Sequence, residues 1–157
     1  MPSEWDRSLA KTISRIIEAV QPNSLYGQTR LTLPLTGWTR EDAIARVEPK
    51  GDRLLITPNL RGADAKGFIW LDLGRTVDLT KDQVRVRVRV PQTLVGRPHP
   101  NDVHVQLAAK DTNWRYADTR WEEGAVTQPE LTLTIHPRSL FGRDNGLERT
   151  RVRMIGL

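Results

Sequence analysis

The sequence predicts an all-β domain, an antiparallel two-sheet β-sandwich, preceded by one amphipathic N-terminal helix. Three observations predict it. From Gln83 to Val90, valine alternates with arginine, and only a strand, whose side chains repeat every two residues, turns that order into one apolar and one charged face. Eight or more such short stretches follow one another at sandwich-like spacing, separated by Pro, Gly, Asn and Asp. Beyond residue 28 there is no long helical periodicity, and no internal repeat at fixed period occurs.

The chain divides into a helix over 1–21, a linker over 22–28 and the β-sandwich over 29–157. Trp5, Leu9, Ile13, Ile16, Ile17 and Val20 fall within about 120° of one another at 100° per residue, which predicts an amphipathic helix from Ser3 to Val20. Ser3 and Asp6 form a capping box, and Pro22 ends the helix. Its apolar stripe calls for a protein partner, which would be the sandwich, a neighbouring domain or a second copy.

Strands are expected at Thr29–Leu35, Ala43–Glu48 and Arg53–Thr57. The last two are joined by Pro49-Lys50-Gly51-Asp52, where Gly51 can take positive φ. A further strand at Gly67–Leu73 places Ile69, Leu71 and Leu73 on the core side and leaves Trp70 on the exposed side. The Val-Arg strand ends at Pro91. Asp102–Leu107 repeats its alternation and runs into Lys110-Asp111, after which a polar turn carries Trp114 and Tyr116. Glu130–Ile135 and Glu148–Ile155 complete the set, the last with Arg149, Arg151 and Arg153 on one face.

The succession Val77-Asp78-Leu79-Thr80, a long Val-rich strand, a shorter one ending near Lys110-Asp111, then Trp114 and Tyr116, and a terminal Val152-Arg153-Met154-Ile155-Gly156-Leu157 resembles the galactose-binding-like jelly rolls. That group includes carbohydrate-binding modules of polysaccharide-degrading enzymes. The resemblance covers the last two thirds of the chain and rests on short motifs. It implies a jelly-roll sandwich and an accessory role beside an attached enzyme on a polysaccharide or oligosaccharide. It also implies a possible structural calcium, although Leu35-Thr36-Gly37-Trp38 stands where the group places a carboxylate before a Gly-rich turn. No other cofactor is called for.

With 157 residues, the chain can bury a core without staples. Zero cysteines exclude disulfides and thiolate chemistry without fixing the compartment, since bacterial secreted domains often lack cysteine. No apolar run is long enough to span a membrane, and no signal peptide is recognisable. The jelly-roll resemblance makes a secreted or cell-surface parent the expectation. Twenty-four Lys and Arg against nineteen Asp and Glu give a net charge of +5. Such a surplus permits polyanion binding without demanding it, and nucleic acid is not the expected partner.

No catalytic or metal-ligand motif appears among the three histidines or the serines. Glu122-Glu123 with Asp111 or Asp118 would be the carboxylate pair of a glycosidase, but adjacent strand residues point to opposite faces, and solvated loop carboxylates are the simpler reading. The chain therefore reads as non-catalytic.

Five tryptophans against two phenylalanines point instead to indoles in contact with water. Sugars stack their C–H faces on such rings while polar side chains bond the hydroxyls. Trp38, Asp111, Asn113, Trp114, Arg115, Tyr116 and Trp121 supply that mixture; the competing reading makes the aromatics loop anchors. Arg85, Arg87 and Arg89, with Arg151 and Arg153 if their strand joins the same sheet, would form an anionic-ligand face. The competing reading is charge that protects a Val-rich strand from aggregation.

Overall fold

The computed structural model describes residues 17–24, 27–60 and 65–157. Twelve strands run through them: β1 (Ile17–Ser24), β2 (Gly27–Thr32), β3 (Trp38–Arg40), β4 (Ile44–Lys50), β5 (Arg53–Pro58), β6 (Ile69–Val77), β7 (Gln83–Arg89), β8 (Ala108–Asp111), β9 (Tyr116–Thr119), β10 (Glu130–Ile135), β11 (Phe141–Asp144) and β12 (Val152–Gly156). All strand pairings are antiparallel. They form a four-stranded sheet ordered β10-β7-β1-β2, a six-stranded sheet ordered β11-β9-β8-β12-β6-β3, and the β4-β5 hairpin.

One apolar cluster draws on both larger sheets. Val84, Val86, Leu133 and Ile135 enter it from the four-stranded sheet; Leu71, Val77, Ala109, Ala117, Val152 and Ile155 enter from the six-stranded one. The valine face of β7 is thus inside and its arginines outside, as alternation requires. Each fully buried valine stabilises the fold by about 1.5–3 kcal/mol relative to exposure. The β4-β5 hairpin turns at Gly51, whose φ of +62° glycine adopts without strain.

The expected helix lies outside the described residues over 3–16, and where the chain is described it is not helical. Ile17–Val20 belongs to β1, paired on one side with β2 and on the other with β7 from Ile17↔Val86 to Val20↔Gln83. Two ladders satisfy its main chain, and that non-local gain overrides a local helical period. Pro22 does not end a helix. It sits where the β1–β2 register shifts between Gln21 and Ser24, a bulge that tolerates a missing N–H. Of the expected linker, residues 22–24 belong to β1 and 27–28 to β2, and the β fold includes residues N-terminal to 29.

Other boundaries move for similar reasons. Pro34 cannot extend a ladder, so β2 stops at Thr32 and Leu33 is buried outside it. Asp102–Leu107 forms no strand beyond a bridge of His104 to Ala125; Val105 N–H donates to Gly124 O at 2.9 Å and Leu107 N–H to Thr119 Oγ1 at 3.1 Å. A side chain on Gly124 would overlap the Val105 carbonyl, so this contact needs glycine. Arg149–Arg151 is a single 3-10 turn, and β12 begins only at Val152. Trp70, expected on the exposed side, is 5% exposed: its Nε1 donates to Glu41 Oε1 at 2.9 Å, and Lys110 Nζ lies 3.8 Å from its ring centroid.

Candidate ligand-binding site

The hairpin joining β8 to β9 is built around one buried carboxylate. Asp111 is 2% exposed and accepts four hydrogen bonds. Asn113 N–H and Arg115 N–H reach its Oδ1 at 2.7 and 3.1 Å, and Arg115 Nε and Glu148 N–H reach its Oδ2 at 2.8 and 2.9 Å. Burial pushes this carboxyl up, but the bonds from Glu148, Asn113 and Arg115 outweigh it and hold the group below the usual carboxylate range. Arg115 also bonds Glu148 Oε2 at 2.9 Å, tying the hairpin to the segment before β12.

Between the two amides that Asp111 holds stands Trp114, at φ +64° and 68% exposed. A left-handed backbone costs a residue with a Cβ about 1–2 kcal/mol, and tight turns usually give that place to Gly or Asn. Asp111 secures the turn from both sides, and Trp114 N–H donates to the Asp111 carbonyl at 3.1 Å. The result is an indole fixed at its backbone and open to water. Asn113 beside it is exposed, and Tyr116 is half-buried, its N–H donating to Asn145 Oδ1 at 2.6 Å.

Trp121 does not join this group. It follows the far end of β9, and four residues of strand at about 3.3 Å each separate it from the hairpin tip. The indole is 50% exposed and stacks on His104, with centroids 3.8 Å apart and planes 17° from parallel. His104 is itself held: Nδ1 lies 2.9 Å from the Trp121 carbonyl oxygen, and Nε2 lies 2.9 Å from Asp102 Oδ2. The hydrogen bond with the His104 ring lowers the Asp102 carboxyl below its ordinary range, against the effect of burial. Beside this pair opens a cleft of 290 Å³ whose lining includes Arg97, His99, Asp102 and His104.

Trp38 lies in a third place, on β3 at the edge beyond β6. Its Nε1 donates to Pro34 O at 2.9 Å and its ring packs on the core, an anchoring role. The aromatics grouped by sequence as ligand contacts therefore stand in three separate places. Sequence reasoning passed over the support of Trp121, although Asp102 and His104 are spaced by two and share a strand-like face.

The arginines also separate. Arg85, Arg87 and Arg89 lie on β7 in the four-stranded sheet, whereas Arg153 lies on β12 in the six-stranded sheet and Arg151 in the turn before it. Arg87 and Arg89 share Glu130 at 3.6 and 3.0 Å. Arg153 pairs with Asp72 at 3.1 Å, and Arg151 lies 3.9 Å from Glu148. Arg149 donates to the carbonyls of Pro137 and Ser139.

Asp111 and Asp118 are buried and occupied by main-chain bonds, Asp118 Oδ1 accepting from Arg143 N–H at 2.9 Å. In the Asp144-Asn145-Gly146 loop, Asp144 Oδ1 accepts from the N–H groups of Gly146 and Leu147, and Asn145 Oδ1 from Tyr116 N–H. Among the described residues no group of three or more His, Cys, Asp or Glu side chains is placed to hold a metal, and no helix is long and apolar enough to cross a membrane. No protein-family model, curated protein or solved structure matches the chain.

Proposed function

We propose that this chain is a non-catalytic carbohydrate-binding module of jelly-roll sandwich type that holds an attached enzyme on a polysaccharide by aromatic stacking. The observation that carries the reading is Trp114: an exposed indole kept at positive φ by a buried carboxylate is backbone strain spent where folding gains little. Around it, Asn113, Arg115 and Glu148 supply polar groups for the ring hydroxyls of a stacked sugar. Trp121, backed by His104, supplies a second and separate contact. Each contact alone binds weakly, and the benefit is the raised local concentration of the attached domain.

Affinity electrophoresis through gels containing single polysaccharides tests this. Retention by at least one glycan is expected, lost in Trp114→Ala, reduced in Trp121→Ala, and kept when Arg85, Arg87 and Arg89 are all changed to Gln. Raising salt from about 50 to 200 mM should leave it nearly unchanged, because stacking releases no counterions. Retention that disappears with the arginines and with salt would replace this reading by polyanion binding. Retention by no glycan would refute the stacking reading and leave a structural domain that binds no sugar and packs on a neighbouring domain.

A further inference from the structure

An outermost strand exposes unpaired main-chain N–H and C=O groups, and proteins blunt such edges with bulges, Pro, Lys or short length. Most edges here carry such a device. β3 has three residues, the β11 ladder shifts register between Phe141 and Arg143, and β2 joins β1 through the bulge at Gln21 to Ser24. The two-stranded sheet carries Pro49 and Lys50 on β4 and Pro58 on β5.

The outer edge of β10 carries none of these, although the 3-10 turn Trp121–Gly124 packs near it and walls the far side. Its six residues pair with β7 one for one, from Glu130↔Arg89 to Ile135↔Val84, with no bulge, Pro, Gly or Lys. Along it runs a groove of 390 Å³, a size that suits a ligand. Thr132, Leu133 and Thr134 all line it. Successive strand side chains point to opposite faces, and the Leu133 side chain is in the core at 3% exposure, so what Leu133 offers the groove is its main chain. The groove follows the strand's hydrogen-bonding edge.

Basic groups outnumber acidic ones among the residues lining the groove. Arg120 and Arg138 stand against a single carboxylate, Glu123; Arg138 forms no ion pair among the described residues, and Arg120 comes only within 3.9 Å of Glu122. Arg138 N–H donates to His136 Nδ1 at 3.1 Å, which leaves Nε2 as that ring's donor. Leu140, 67% exposed, adds an apolar contact.

We propose that β10 accepts an extended acidic peptide as an added strand. Main-chain bonds to the edge would give affinity, carboxylates would meet Arg120 and Arg138, and an apolar side chain would cover Leu140. This does not depend on the sugar reading.

The test is an amide NMR titration of the chain with an acetylated, amidated octapeptide of alternating Glu and Val. The comparison peptides have Lys for Glu, or the Glu peptide N-methylated at alternate residues. Shifts at Thr132, Leu133 and Thr134 are expected with the first peptide, and affinity about tenfold lower with each of the others, the loss of one or two good hydrogen bonds or ion pairs. The double variant Arg120→Glu, Arg138→Glu, both sites exposed, should weaken binding similarly while keeping a folded spectrum. Equal binding of the N-methylated peptide would reduce the groove to a charge site and overturn the proposal, as would no shift at β10. A dimer in sedimentation that the double variant dissociates would also overturn it, assigning the edge to a second copy of the chain.

Discussion

Trp114 and Trp121 stand at the two ends of β9, and the chain fixes them by different means. Trp114 is held through its main chain: a buried carboxylate collects the amides on either side, and among the described residues no aromatic stacks on the ring. Trp121 is held through its ring, stacked on an imidazole that hydrogen bonds fix from both sides. Strain is stored at the first end and side-chain packing at the second. Substitutions at the two should therefore differ in sign as well as size.

The largest effect is expected at the carboxylate. Asp111→Ala orphans two turn amides, the Glu148 amide and the Arg115 guanidinium, and should cost about 3 kcal/mol in urea unfolding; a loss below about 1 kcal/mol would mean that water replaces those bonds cheaply. The same group sets a pH dependence. Its folded pKa is depressed, so its stabilisation is fully present above the unfolded carboxylate value of about 3.9 and is lost as pH falls through the lower folded value. Asp111→Asn should flatten the stability profile in that acid window, and an unchanged acid slope would remove Asp111 from the account.

At the other end, His104→Ala should cost about 2 kcal/mol, from lost stacking and two lost bonds, and should broaden or shift the Trp121 indole N–H resonance. An unmoved resonance would mean that the loop, not the imidazole, positions the ring. Trp114→Asn should act in the opposite direction, stabilising by about 1 kcal/mol because Asn tolerates the left-handed region, while abolishing glycan retention. A stability loss there would show that the indole anchors the turn. The smallest effect belongs away from both ends: Arg87→Gln, which loosens one exposed pair with Glu130, should fall within about 0.5 kcal/mol of zero.

Those differences also mark what a one-dimensional reading reaches. The Val-Arg alternation determines β7 and its inner face, Leu131, Leu133 and Ile135 determine β10, and Pro49-Lys50-Gly51-Asp52 determines the hairpin turn, because each signal lies within a few residues of its consequence. That some indoles meet water was legible from their number and their polar neighbours, but not that Trp114 and Trp121 are the exposed ones. Their separation was not, since β9 is a strand only through partners elsewhere in the chain: β8 before it and β11 after it. The same holds for Ile17–Val20, where helical spacing loses to a ladder with β7 more than sixty residues away. It holds too for the arginines, whose two rows belong to different sheets, and for Asp111, whose burial depends on Glu148 arriving from the approach to β12. Local alternation and turn chemistry act within one segment and can be read from it. Sheet membership, strain at a turn and the burial of a charge arise from main-chain and side-chain partners distant in sequence, and only the folded chain brings those together.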